Sequence, residues 1–214
     1  MKKTIIHITI LAVLVLGVAV RPGSAQGLLG KRYIGFSISQ MTPGDDFVKD
    51  IDDSILGLGG GINIPISTNI DAIFSLGYAK LEGGLMGVDV EATSIALLGG
   101  LNYHFTPDKK VDPFVGIGAG LSKVKTETSY LGYELSDDED DFAISIGGGV
   151  EIDLNDKISL RPNIEYLNIG DKDDFALGIG LNMWFNESVF GSLSVSYALD
   201  EGDVFYSAGI GFGF

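Results

Sequence analysis

No cysteine occurs among the 214 residues, which excludes disulfides, thiolate metal sites and cysteine nucleophiles together. A chain so composed is held by packing and hydrogen bonds alone. Histidine is nearly as scarce, with only His7 and His104 present, so a general base is hard to find. Prolines number six and glycines 31. Glycine inside a helix costs about 1 kcal/mol relative to alanine, which argues against long helices. Positive charge is also short: 14 basic residues face 29 acidic ones, for a formal net charge of −15. Nucleic acid is bound by surplus lysine and arginine, so it is excluded as a partner.

What is present begins with an address. Lys2 and Lys3 precede an apolar run from Ile5 to Val20, and Gly23-Ser24-Ala25 supplies small residues around a cleavage point. The run is shorter than the roughly 20 residues that a helical span needs. Residues 1–25 are therefore expected to be a signal peptide and 26–214 a single domain starting at Gln26. Losing Lys2, Lys3 and Arg21 makes the remaining chain still more acidic.

Beyond the leader the dominant pattern has period two, the spacing of strands whose two faces see different surroundings. In "FAISIGGGVEIDL" (142–154), Phe142, Ile144, Ile146, Val150, Ile152 and Leu154 share one face, while Ala143, Ser145, Gly147, Gly149, Glu151 and Asp153 share the other. The same division recurs along the chain and predicts ten strands, near 32–40, 55–65, 70–81, 92–105, 113–124, 142–154, 158–169, 175–185, 189–199 and 204–214. Most of these are long enough to cross a bilayer at a tilt, for which about 9–11 residues suffice.

Connections of two kinds alternate. "PISTN", "TPDKKVDP", "NDK" and "NES" carry turn formers and are mostly short, whereas 41–54, 82–91, 125–141, 170–174 and 199–203 read as longer or more acidic loops holding 21 of the 29 acids. Aromatics mark both strand ends: Tyr78, Phe142, Tyr166, Phe175, Tyr197 and Tyr206 at the loop end, and Tyr103, Phe105, Phe185, Phe212 and Phe214 at the turn end. Two such belts fit a bilayer with two interfaces. Lipid cannot satisfy a backbone N–H or C=O, so a sheet survives there only by closing on itself. The final "FYSAGIGFGF" is thus expected to pair with the first strand, with Tyr206, Ala208, Ile210, Phe212 and Phe214 facing lipid.

"DPFVGIGAGLSKVK" (112–125), "FAISIGGGVEIDLNDKISLRPNIEYLNIG" (142–170) and the terminal phenylalanine resemble the small bacterial outer-membrane β-barrels of the OmpA, OmpX and OmpW kind. The resemblance implies an all-β, antiparallel up-and-down barrel in the outer membrane of a Gram-negative bacterium, in contact with lipid and lipopolysaccharide. It also implies that Phe214, with Phe212, Ile210 and Tyr206, is a signal to the barrel-assembly machinery. That family commonly has eight strands, and here an additional hairpin predicts ten, with eight as the alternative.

Within the lumen, Glu151, Arg161 and Glu165 are the charges to note. If the turn 155–157 joins two strands, Leu154 lies opposite Ile158 and Glu151 opposite Arg161, with Glu165 farther along the same side. Such a cluster serves either as a gate or as a static plug that satisfies a buried arginine. Other interior positions are mostly glycine, serine and alanine, leaving volume closed below by Asn63, Asn102, Glu151, Arg161 and Trp184. "GIGAGLSK" lacks the ending of a phosphate loop. Asp137, Asp138, Glu139, Asp140 and Asp141 lack the spacing of a dedicated calcium loop, so they read as a solvated acidic loop with at most loose divalent binding. His104 falls at the turn-side rim, whereas barrel proteases and lipid A deacylases use a histidine at the loop side or the outer lipid face, so neither enzyme activity nor a cofactor is expected. Two functions remain: a structural or porin-like barrel with a narrow lumen and an acidic outer mouth, or a surface module binding an extracellular ligand through loops 41–54 and 125–141.

Overall fold

Strands with one apolar and one small or polar face close into a ring when the apolar faces all turn outward. The computed structural model, which describes residues 29–44, 55–85, 88–107, 109–130 and 133–214, contains ten such strands. The leader expected at 1–25 and residues 45–54 of the loop expected at 41–54 lie outside the described residues. In chain order the strands are β1 (Tyr33–Thr42), β2 (Ile55–Ser67), β3 (Ile70–Leu85), β4 (Val88–His104), β5 (Val111–Tyr130), β6 (Tyr133–Asn155), β7 (Ile158–Ile169), β8 (Lys172–Trp184), β9 (Val189–Ala198) and β10 (Val204–Gly213). Each pairs antiparallel with its chain neighbours, and β10 returns to β1 in a register running from Tyr33↔Gly213 to Thr42↔Val204. The ten-strand expectation holds over the eight-strand alternative.

Alternation sets the two surfaces. On β1, Ile34, Phe36 and Ile38 are exposed on the outside while Tyr33, Ser39 and Met41 are buried inside. On β10, Tyr206, Ile210 and Phe212 point outward, as does Phe214 just beyond it, and Phe205 is buried within. The predicted belts are in place, with Tyr103 edge-on to Phe105 at the turn end and Tyr166 against Phe175 at the loop end. The outer wall is therefore an apolar band with aromatic margins, the surface hydrocarbon requires.

Two expectations are corrected. The described residues of 82–91 and 125–141 are strand rather than loop: β3 pairs with β4 as far as Leu85↔Val88, β4 with β5 as far as Val88↔Tyr130, and β5 with β6 as far as Tyr130↔Tyr133. Their outer neighbours stop short, since β2 leaves β3 at Leu56↔Lys80 and β7 leaves β6 at Ala143↔Ile169. A four-stranded sheet thus rises beyond the rim by up to ten residues of β6, roughly 33 Å at about 3.3 Å per residue. The second correction concerns the β6–β7 turn. Ile158 pairs with Asn155 rather than Leu154, because the register shifts between Asp153 and Asn155. Asn155 accounts for the shift: its Oδ1 accepts the N–H groups of Lys157 and Ile158 at 2.9 and 3.1 Å, which closes the turn early.

Glycine is demanded at several points, of which two bear on the wall. Gly170 turns β7 into β8 at a φ of 56°, and a Cβ there would also meet the Asp141 carboxylate. Gly211 lies under the ring of Phe190 on the adjoining strand, where a Cβ would collide with it.

Candidate functional site

Inward-facing side chains divide the lumen into three levels. At the turn end is a polar and aromatic base. Tyr33 stands edge-on to Phe190 with centroids 5.4 Å apart, and Trp184 leans on Phe190 at 5.0 Å. Asp71, Asn63, Asn102, His104, Asp112 and Glu151 are all buried among them. His104 Nδ1 lies 3.1 Å from Asp112 Oδ2, and its Nε2 faces Asp71 Oδ1 at 3.9 Å. Asp112 also accepts the Thr106 N–H at 2.7 Å, which ties this cluster to the β4–β5 turn.

The cluster named from sequence is assembled as expected in part. The pairs Gly149↔Asn163 and Ile152↔Leu160 flank Glu151 and Arg161 and set them across from one another, and each lies within the other's field. Arg161 places its guanidinium carbon 3.7 Å from the centroid of the Phe114 ring, a cation–π contact. Glu165 lies farther up β7, facing the same interior.

Above the base is a chamber of about 170 Å³. Ser75, Ser145, Asn163, Arg161, Glu165 and Ser207 are among its lining residues, with glycines that leave it unfilled. The third level is mostly apolar, with the buried hydroxyls of Ser94, Ser122 and Thr126 at the same height. Met41, Ile55, Leu81, Val90, Val124 and Phe205 are buried together inside the loop-side end of the ring, joined by Ile169 and Leu167. Sequence reading missed this layer, because apolar residues there occupy both faces of the strands and the outward set masks the inward one.

Across the base lies a second feature that sequence did not disclose. Residues 29–32 precede β1 and cross the opening. The Gly30 N–H donates to Asp71 Oδ2 at 2.9 Å, and Asn63 Nδ2 donates to the Lys31 carbonyl at 2.8 Å. A backbone hydrogen bond from Leu29 reaches Glu151, and the Lys31 ammonium sits 4.5 Å from the centre of the Trp184 ring.

On the projecting sheet the acidic run 137–141 alternates between two faces. Asp138 and Asp140 flank the Lys123 ammonium at 3.5 Å each, Lys125 pairs with Glu127, and Lys80 pairs with Glu82 and with Glu91 at 2.9 Å. These partners raise the pKa of each lysine, with Asp140 foremost for Lys123. Glu139 and Asp141 point to the other face. Partial burial raises both above the usual carboxylate range, helped at Glu139 by Asp141 and Asp137 and at Asp141 by Asp171 and Asp140. Because the run is strand, its five carboxylates cannot converge on one ion, and no group of three or more potential metal ligands gathers among the described residues. Tyr206, Ile210, Phe212 and Phe214 sit on the outer wall beside β1.

Comparison with known proteins agrees with this architecture. A family model described as outer membrane protein beta-barrel domain matches residues 9–214. No curated protein matches the chain. Among solved structures, the translocator domain of the autotransporter NalP from Neisseria meningitidis is similar at 14% identity and a TM-score of 0.55, covering 100% of this chain and 97% of that one. The transport unit of the autotransporter AIDA-I from Escherichia coli is similar at 9% identity and a TM-score of 0.52, covering 95% and 96%. At these identities the likeness concerns the fold alone.

Proposed function

Since the chain belongs to the outer membrane protein β-barrel domain family, we propose that it is a non-enzymatic barrel of a Gram-negative outer membrane, exported through residues 1–25, with an occluded lumen and an acidic outer rim. The carrying observation is the apolar layer. A hydrated ion crossing the ring formed by Met41, Ile55, Leu81, Val90, Val124 and Phe205 must shed water in a layer whose buried side chains are mostly apolar, with the hydroxyls of Ser94, Ser122 and Thr126 beside them, and such constrictions block conduction by drying. A structural cylinder is thus favoured over a porin. The outer band meets lipid and lipopolysaccharide, and Tyr206, Ile210, Phe212 and Phe214 form the face offered to the barrel-assembly machinery. The test is planar-bilayer recording of the refolded chain. Silence in both polarities is expected, with current appearing in Val124→Asp; steady conductance of the unsubstituted protein would refute the occluded lumen.

A second reading is favoured by the projecting sheet. The β6 segment 133–142 has no strand partner on its outer side among the described residues, and it stands clear of the rim with its acids on both faces. Such a surface can present a binding site outside the cell. Removal of 127–139 is expected to abolish attachment to host or neighbouring cells while leaving the barrel folded, and unchanged attachment would count against this role.

A further inference from the structure

Residues Leu29–Arg32 lie outside the barrel wall, yet side chains from four strands hold them. Asn63 belongs to β2, Asp71 to β3, Glu151 to β6 and Trp184 to β8. In a ring of ten, β3 and β8 are diametrically placed, so a segment touching both spans the opening instead of skirting it. Its far end is fixed too, since the Phe214 N–H donates to the Arg32 carbonyl at 3.2 Å.

The base is shaped for this occupant. Asp71 is 0% exposed and Asn63 2%, and buried polar groups of this kind are costly unless partnered. Gly30 gives Asp71 an N–H partner, and its φ of 75° allows the chain to bend into the opening, where an added Cβ would meet His104 Cε1 at 3.8 Å. Lys31 meanwhile brings a cation over the ring of Trp184, within the field of the Asp153 carboxylate. Every one of these contacts recognises backbone or positive charge, and none requires that the ligand be covalently joined to β1.

We propose that the turn-side mouth is a binding site for a short cationic peptide segment, occupied in cis by Leu29–Arg32, and that release of this segment opens the chamber to the turn side. The site stands independently of the occluded outer end; only the expectation about conductance rests on that reading. Departure of the segment uncovers a one-ended vestibule with Arg161, Phe114 and Asn102 among its lining residues and the apolar layer as its roof.

The test uses the absence of native cysteine. Ser75→Cys places a lone thiol on the chamber wall, where it is reached slowly by a small charged thiol reagent when the segment is in place. Adding Gly30→Pro removes the N–H that Asp71 accepts and imposes a negative φ, without touching any strand. Labelling is expected to accelerate at least about tenfold, the ratio implied by losing one or two hydrogen bonds. Deleting residues 29–31 provides a second variant, and heat-modifiable gel migration confirms that each is folded. The synthetic peptide Gly-Leu-Leu-Gly-Lys-Arg, added in trans to the deletion variant, is expected to restore slow labelling. Equal labelling rates in folded parent and variants would overturn the stopper, and failure of the peptide to protect would overturn the peptide site. Current through the deletion variant in planar bilayers would instead refute the occluded outer end and leave the stopper standing.

Discussion

Replacing Arg161 by methionine probes how strongly the lumen depends on the cross-strand apposition of Arg161 and Glu151 at the base. Opposed side chains on neighbouring strands stand about 5 Å apart. At an effective dielectric constant of about 20, unit charges at that separation attract by about 3 kcal/mol. Glu151 is 4% exposed, so losing its partner leaves a desolvated carboxylate, a situation that costs about 3–5 kcal/mol in buried pairs. Arg161 borders the chamber, whose water would soften this, so a loss of about 3 kcal/mol is expected for Arg161→Met. The double variant Glu151→Gln with Arg161→Met should lose far less than the two single variants together. Equilibrium unfolding in urea from lipid vesicles provides the measurement, reported by the fluorescence of the sole tryptophan, Trp184, which sits in the same base. Additive single effects, or a change under about 0.5 kcal/mol for Arg161→Met, would refute a coupled pair.

Gly211→Ala forces a methyl group against the Phe190 ring and is expected to destabilise the barrel by about 1–3 kcal/mol; Gly211→Ala combined with Phe190→Leu should recover part of that loss in the same unfolding assay. For Glu139 and Asp141, a folded pKa above the unfolded value means that stability is greatest when both are protonated and declines as pH rises through their folded values. Glu139→Gln with Asp141→Asn should accordingly slow proteolysis of the projecting sheet at pH 7 and make no difference at pH 3; a variant cut faster than the parent at pH 7 would contradict the sign. Phe214→Ser is expected to reduce the amount of barrel assembled in cells while leaving refolding into detergent unchanged, so an equal loss in both would place Phe214 in stability and not in recognition.

Most of the wall was legible because a two-residue period survives in every strand: "FAISIGGGVEIDL" states which side faces out without any tertiary information. The upper parts of β5 and β6 were not, because Asp and Glu in succession have low strand preference and read as solvated loop. Lys123 meets Asp138 and Asp140 across the ladder, partners visible only once register is known. The apposition of Glu151 and Arg161 was recovered from a short turn, but the Asn155 side chain shifted the pairing within that turn. Asn63, Asn102 and Trp184 were correctly sent to the base by alternation. His104 was placed at the correct end, yet its carboxylate neighbours Asp71 and Asp112 come from different strands and left no local signal. Residues 29–32 have no periodicity at all, so nothing in their order announces a path across the opening.

The wall's uneven height has a mechanical consequence. β1, β9 and β10 have ten residues each, whereas β5 has 20 and β6 has 23. Backbone bonds between strands act like teeth of a zip, and the staves beside the chain's two ends carry the fewest. Heat or a pulling force therefore parts the cylinder at that thin side first, and the tall staves on the far side hold together longest.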